Sequence, residues 1–417
     1  MTNLLDRQLQ QYGELSVRVG LNLEAGQRLL IIGPLASGGV SLEAAALVRH
    51  VASSAYQAGA RLVETIWGDE QLLMIRFREA PAESFDEYSI WLPKALAEHM
   101  ESGGAVLSIY ANDPDQMKDQ SPARITSLQR ATARSVQAFR ELVSRNRSNW
   151  TVIGAAGPGW AARVFPNLAP DQQMSSLWET IARLCRLDRT DPVSAWSAHL
   201  AALAARRDML NAKRYEALRY RGPGTDLTVG LAPGHMWVSG QSETPSGITF
   251  APNLPTEEVF TMPHKDRVDG VVRSSRPLSY GGTLIEGFTL GFAGGRVVDV
   301  AADRGGSVLR ELVETDEGSG RIGEIALVPD SSPVSQSGLL FYNTLYDENA
   351  ASHVALGSAY KFTVAGGEGM TTDEFERAGG NRSVVHVDFM IGSAELDVDG
   401  VLRDGTAEPL MRYGEWA

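Results

Sequence analysis

A chain of 417 residues with 43% hydrophobic and 21% charged residues is long enough for two domains and too ordinary in composition for a disordered or fibrous protein. Its 51 acidic against 38 basic residues, a net charge of −13, exclude a nucleic-acid binder that works through clustered Lys and Arg. A single cysteine, Cys185, excludes internal disulfides, and no apolar run approaches the roughly 18 residues of a membrane span.

The start, Met-Thr-Asn-Leu-Leu-Asp-Arg, lacks a basic segment followed by an apolar stretch, so a cytoplasmic protein with no membrane partner is expected. Strand and helix signals then alternate. Positions 28–32 read as a strand, 42–57 as an alanine-rich helix, 61–67 and 105–110 as strands, 125–144 as a helix and 150–154 as a strand. Such alternation implies a parallel or mixed sheet covered by helices, an α/β domain. Gly154-Ala-Ala-Gly-Pro-Gly159 after the last strand departs from the dinucleotide-binding spacing and has no acidic residue at the right distance, so it reads as a plain strand-to-loop crossing. Helices at 174–187, where Cys185 packs, and at 192–213, with proline in its first turn, complete this half.

From Tyr215 the pattern changes to short strands of period two with glycine turns: 226–231, 270–274, and a hairpin of 287–292 with 296–301 around Gly294-Gly295. The expectation is an α/β domain over 1–213, followed by an α+β, mainly antiparallel domain over 214–417. His235 and His264, each isolated among turn residues, read as structural or solvated.

The second half also holds polar residues where apolar ones are expected. In Ser-Val-Val-His-Val-Asp-Phe-Met-Ile, 383–391, His386 and Asp388 stand two apart in a β-branched run, so in a strand they share a face. Burying either alone costs several kcal/mol, so the pair is either a core hydrogen bond or half of a divalent-metal site. Upstream, 345–360 carries Glu348 and His353 among small residues of helical propensity, with Gly357 as the stop. Glu324 stands at the entry of the apolar run 325–328, where a carboxylate is costly, and Glu257 and Glu258 lie between prolines in an extended segment at 253–263.

Four of these segments resemble the signature stretches of the M29 metallopeptidases, the aminopeptidase T and aminopeptidase S family. They are Asn-Leu-Pro-Thr-Glu-Glu-Val-Phe at 253–260, Arg-Ile-Gly-Glu-Ile-Ala-Leu-Val at 321–328, Thr-Leu-Tyr-Asp-Glu-Asn-Ala at 344–350 and Ser-Val-Val-His-Val-Asp-Phe-Met-Ile-Gly at 383–392. The likeness runs along nearly the whole chain and keeps the order of segments. Tyr346 and Ala351-Ser352 depart from the family pattern without touching a ligand position.

The resemblance implies a cytoplasmic homodimer that removes N-terminal amino acids from short peptides through a hydroxide shared by two divalent ions. It carries the metal ligands onto Glu258, Glu324, Glu348, His353, His386 and Asp388, and the active-site tyrosine onto Tyr360, with the first domain shaping or covering the pocket. Four carboxylates and two imidazoles without thiolate suit Zn, Co, Mn or Mg, and their charge roughly balances two dications. Glu324 is the candidate bridge between the ions, and the Tyr360 phenol a candidate donor to the developing oxyanion. Two alternatives stay open: a mononuclear iron ring-cleaving dioxygenase related to the dihydroxypyridine dioxygenases, and an inactive small-molecule-binding module on the same scaffold. A facial triad needs only one carboxylate, so retention of Glu258, Glu324 and Glu348 argues against the first.

Overall fold

The run Arg28–Ile32 is apolar after its first residue and buried along Leu29 to Ile32, as expected of a strand covered on both faces. It is the hub of a five-stranded parallel sheet in the computed structural model, which describes residues 2–281 and 283–417. The strand order is Asn253–Leu254, Trp150–Gly154, Ala105–Tyr110, Arg28–Ile32, Leu62–Thr65. The helix Ala45–Gln57 turns Leu47, Val48, Val51 and Ala55 inward, the one-face spacing of an amphipathic helix. Its approach is a 3-10 turn, Leu42–Ala44, capped by the Ser41 side chain accepting from the Glu43 N–H. The single helix expected over 125–144 is two, Pro122–Ser135 and Gln137–Ser144. The break at Val136 leaves that side chain fully buried.

Packing divides the chain into two units: Met1–Leu200 with Gln241–Pro255 and Phe341–Leu345, and Ala201–Gly240 with Thr256–Leu340 and Tyr346–Ala417. The expected division at 213/214 differs in three ways, one being the return of Phe341–Leu345 to the first unit. The change of unit falls inside the helix Pro192–Lys213, and the segment 241–255 returns to the first unit because Asn253 and Leu254 extend the parallel sheet beside Val152 and Ile153.

The second unit is built from antiparallel sheets, as its period-two strands imply. An eight-stranded sheet runs in the order Arg296–Ala301, Thr289–Ala293, Pro263–Arg273, Thr225–Leu231, Ala217–Gly222, Asp397–Val401, Ala407–Arg412, Glu415–Trp416. The strand expected at 270–274 starts much earlier, at Pro263, and its pairing with Thr225–Leu231 shifts register between Pro263 and Val268. A five-stranded sheet has the order His386–Met390, His353–Gly357, Ile322–Leu327, Val259–Thr261, Val238–Ser239.

Two expectations are corrected there. The segment 345–360 is helical only over Thr344–Asp347, with a 3-10 turn at Glu348–Ala350; His353–Gly357 is a strand with a neighbour on either side. Helix propensities differ by tenths of a kcal/mol per residue, and two ladders of backbone hydrogen bonds with full burial outweigh them. Glu324 lies inside the strand Ile322–Leu327 rather than at its entry, in a run that is buried at every position.

Candidate metal centre

The five-stranded sheet has two chemically different faces. Register places Glu324 opposite Ala355 and Ala355 opposite Asp388, so these three project together. His353 is two residues from Ala355 and His386 two from Asp388, which brings both imidazoles to the same side. Phe260 pairs with Ala326, two residues beyond Glu324, and this puts Glu258 on that side as well. Ile325, Leu327, Val354, Leu356 and Phe389 point the other way and are buried, each contributing roughly 1.5–3 kcal/mol by leaving water. Ala326 and Ala355 lie between the ionisable groups, where small side chains leave space.

A bulge aims Glu324. The ladder shifts between Ile322 and Glu324, so Gly323 is the extra residue. A Cβ on Gly323 would lie 2.2 Å from the Gly357 carbonyl oxygen, and one on Gly357, whose φ is +107°, would lie 2.1 Å from the Val385 carbonyl oxygen. Both contacts are with backbone, which cannot swing aside. Gly323→Ala is therefore expected to force the strands apart, lower the melting temperature by several degrees and reduce bound metal together with activity. A melting curve and metal content matching the unaltered protein would show that the bulge does not position Glu324.

The five side chains form two overlapping groups. Glu258, Glu324 and His353 each present a donor atom within 4.8 Å of the others, and so do Glu324, His386 and Asp388. His353 Nε2 lies 3.3 Å from Glu258 Oε2 and 3.6 Å from Glu324 Oε1. His386 Nε2 lies 3.4 Å from Asp388 Oδ1 and 3.9 Å from Glu324 Oε2. Glu324, only 6% exposed, thus turns one oxygen to each imidazole.

The ring orientations are fixed from behind. His353 Nδ1 lies 3.1 Å from the Ala351 carbonyl oxygen, and His386 Nδ1 2.7 Å from that of Ser358. A carbonyl only accepts, so each Nδ1 carries the proton and donates, which leaves Nε2 facing the carboxylates as a ligand atom. Glu258 Oε2 and Asp388 Oδ1 are buried and accept no hydrogen bond, because the Nε2 atoms 3.3 and 3.4 Å from them carry no proton in this tautomer. A buried carboxylate oxygen left so costs more than the roughly 1–3 kcal/mol of a neutral group, and a divalent cation supplies the missing interaction. The donor set fits such ions.

Electrostatics bind the cluster into one unit. Burial, then repulsion from Asp388 and Glu258, outweigh the neighbouring histidines and raise Glu324 to about 7. Burial and then Glu258, Asp388 and Glu324 raise Glu348 well above the carboxylate range, so Glu348, on the 3-10 turn Glu348–Ala350, feels the same charges. Burial alone would lower His386, but its contact with Asp388 and the charge of Glu324 lift it to about 9; Glu258 and Glu324 likewise raise His353 against its burial. Asp388 is held low by His386 and His353 although burial opposes this.

Tyr360 follows the His353 strand. Its ring lies 4.7 Å from that of His386 and stacks at 5.2 Å on Phe362. Desolvation of the hydroxyl, then repulsion from Glu324, Asp388, Glu348 and Glu258, push its pKa up, so the phenol stays a donor. Of Glu257 and Glu258, the contact with His353 and the period-two placement bring Glu258 into the cluster.

Two supporting residues are given no role by the sequence. Buried Asn349 accepts the Glu257 N–H at 2.7 Å and so fixes the backbone leading into Glu258. Asn381 Nδ2 donates to the carbonyls of Gly357 and Gly318 at 2.6 and 2.8 Å. Only the adjacency of Asn349 to Glu348 could have flagged the first. A separate cavity of about 360 Å³, bordered by Arg273, Arg276 and Glu395, includes none of the cluster residues.

Residues 5–416 match the family described as thermophilic metalloprotease (M29). Aminopeptidase 2 of Geobacillus stearothermophilus is 47% identical over 415 residues, covering 100% of this chain and 99% of its own length. Aminopeptidase T of Thermus thermophilus is 46% identical over 98% of both chains. The solved structure of wild-type aminopeptidase T from Thermus thermophilus superposes with a TM-score of 0.91 at 46% identity over 99% of each chain. The structure of 2,5-dihydroxypyridine dioxygenase from Pseudomonas putida reaches a TM-score of 0.50 at 14% identity over 100% of this chain and 98% of its own, a likeness of fold alone. With a family match from end to end and relatives near half-identical along their whole length, the chain belongs to the M29 metallopeptidases.

Proposed function

We propose that this metallopeptidase is an aminopeptidase that removes N-terminal residues from short peptides with two divalent ions, held by Glu258, Glu324, Glu348, His353, His386 and Asp388. The observation that carries the dinuclear reading is Glu324, whose two oxygens face two different imidazoles at the junction of two donor groups. Bound there, divalent ions of the Zn, Co, Mn or Mg kind supply an acidified water and polarise the scissile carbonyl. The chain's own residues do the rest. The Nδ1 bonds hold the imidazoles in place, the carboxylates neutralise the cations, and Tyr360 donates to the oxygen that gains charge.

Metal analysis of the purified protein, paired with hydrolysis of aminoacyl p-nitroanilides across added metals, tests the reading. Two equivalents per chain with release of p-nitroaniline is the expected result. One equivalent of iron with oxygen uptake on a dihydroxypyridine would instead assign the dioxygenase chemistry. Binding of small molecules with no turnover of either kind would leave the inactive module.

The role of Tyr360 has its own check. Tyr360→Phe removes one donor to the oxyanion, so kcat is expected to fall by on the order of a hundredfold, with KM and metal content little changed. A variant with full kcat and a lowered melting temperature would make Tyr360 a packing residue.

The working assembly proposed is a cytoplasmic homodimer, the commonest closed assembly. Among the described residues no helix is long and apolar enough to cross a membrane. Light scattering at assay concentration is expected to give twice the 45.0 kDa chain mass; a value at the chain mass would refute the dimer.

A further inference from the structure

We propose that Phe362, with Phe260 behind it, forms the pocket for the side chain of the substrate's N-terminal residue and makes the enzyme prefer apolar and aromatic residues at that position. The proposal rests on the aminopeptidase reading above and adds the basis of its selectivity.

A row of rings leads away from the metal ligands. His386 is followed by Tyr360 at 4.7 Å, Tyr360 by Phe362 at 5.2 Å with the planes only 14° apart, and Phe362 by Phe260 at 6.2 Å edge to face. Phe260 projects from the same side of the sheet as Glu258, because the two are two residues apart and Phe260 pairs with Ala326. The row thus borders the ligand cluster. Its middle members are open: Tyr360 is 41% and Phe362 37% exposed. Uncovered aromatic faces beside a group of buried ionisable residues are how a binding site for an apolar moiety looks.

The shelf is preformed. Phe362 is the centre of the 3-10 turn Lys361–Thr363, and the turn is fastened at each end. The Thr363 hydroxyl donates to the Tyr360 carbonyl at 2.6 Å, the Met236 N–H donates to the Thr363 carbonyl at 2.7 Å, and Lys361 Nζ donates to the Met370 carbonyl at 2.5 Å. Little ordering is left for binding to oppose.

Position and charge indicate the occupant. Tyr360 is placed to donate to the carbonyl of the N-terminal residue, and the side chain of that residue is one bond removed from the carbonyl carbon. Phe362, stacked on Tyr360, is the next surface it meets. An acidic side chain would leave water for a ring-lined surface, and the one cation on the turn, Lys361, is already engaged with the Met370 carbonyl. An apolar pocket distinguishes a leucine or phenylalanine side chain from alanine by on the order of tenfold to a hundredfold.

The test uses the metal-loaded enzyme and compares kcat/KM for the Ala, Leu, Phe and Glu p-nitroanilides, alongside Ala-Xaa dipeptides that vary the second residue. Leu and Phe should exceed Ala by at least tenfold, with Glu lowest. Phe362→Ala should cut the Leu-to-Ala and Phe-to-Ala ratios at least tenfold while leaving the ranking of Ala-Xaa dipeptides as it was. Phe362→Leu keeps an apolar wall without the ring, so it should retain the preference for Leu and lose most of that for Phe; melting curves establish that each variant is folded. The pocket assignment is overturned by a parallel fall on all substrates, by unchanged ratios, or by a change that appears in the second-residue series instead. Absence of any hydrolysis by the metal-loaded wild-type enzyme would remove the aminopeptidase reading itself, whereas unchanged ratios in an active variant remove the pocket alone.

Discussion

Glu324→Gln is expected to empty the metal centre rather than half of it, with kcat/KM falling by three orders of magnitude or more. Glutamine preserves the volume at a position that is 6% exposed, so the strand Ile322–Leu327 should still form. What changes is charge and donor pattern. One carboxylate oxygen facing His353 or His386 becomes an amide nitrogen, which repels a cation, and the group that serves both donor sets loses its negative charge. Metal per chain, measured by elemental analysis after gel filtration, should drop at both sites together. Retention of one full equivalent with near-normal turnover would show that Glu324 does not join the two sites.

His386→Ala should be nearly as damaging but less symmetrical. The imidazole belongs to only one of the two donor groups, so the group of Glu258, Glu324 and His353 remains complete. Loss of even an outer-sphere partner typically costs ten- to a hundredfold in metal affinity, and a direct ligand costs more, so one ion is expected to be lost first on dilution or mild chelation. Turnover that depends on both ions should fall on the order of a thousandfold. The fold should persist, because the apolar face of the sheet, Val354, Leu356 and Phe389 among it, is untouched. The expected signature is one retained equivalent, native circular dichroism and almost no activity. Wild-type kinetics in this variant would exclude His386 as a ligand.

The strands Arg28–Ile32, Ala105–Tyr110 and Trp150–Gly154 are legible in the sequence because buried parallel strands are continuous apolar runs, and a run marks its own ends. The pairing of His386 with Asp388 is legible because two polar residues at period two interrupt such a run. His353, which local propensity assigns to a helix, lies on a strand for the opposite reason. Ala-Ala-Ser-His-Val-Ala-Leu carries a weak local preference, and only the neighbouring strands, distant in sequence, decide its state. The same limit applies to Glu324 and to the choice between Glu257 and Glu258. Which side chain reaches the cluster depends on register, and register depends on the bulge at Gly323, which no periodicity within a single segment reveals. The place of the segment 241–255 is illegible for the same reason, since it follows from pairing with residues a hundred positions earlier.

The order of strands in the ligand-bearing sheet bears on how the centre comes apart. Glu324 and His353 sit on strands held on both sides and Glu258 leads into a third, whereas His386 and Asp388 share the terminal strand, which among the described residues has a ladder on one side and a single bond, from the Ser275 N–H to the Met390 carbonyl, beyond it. Terminal strands open locally at lower free energy than central ones. A fluctuation that peels away His386–Met390 carries off two donors at once and leaves the other group assembled. On the proposed two-ion reading, an ion held beside Asp388 should therefore exchange with solvent faster than one held beside Glu258, because fraying of a single strand would release the first and only unfolding of the middle of the sheet the second.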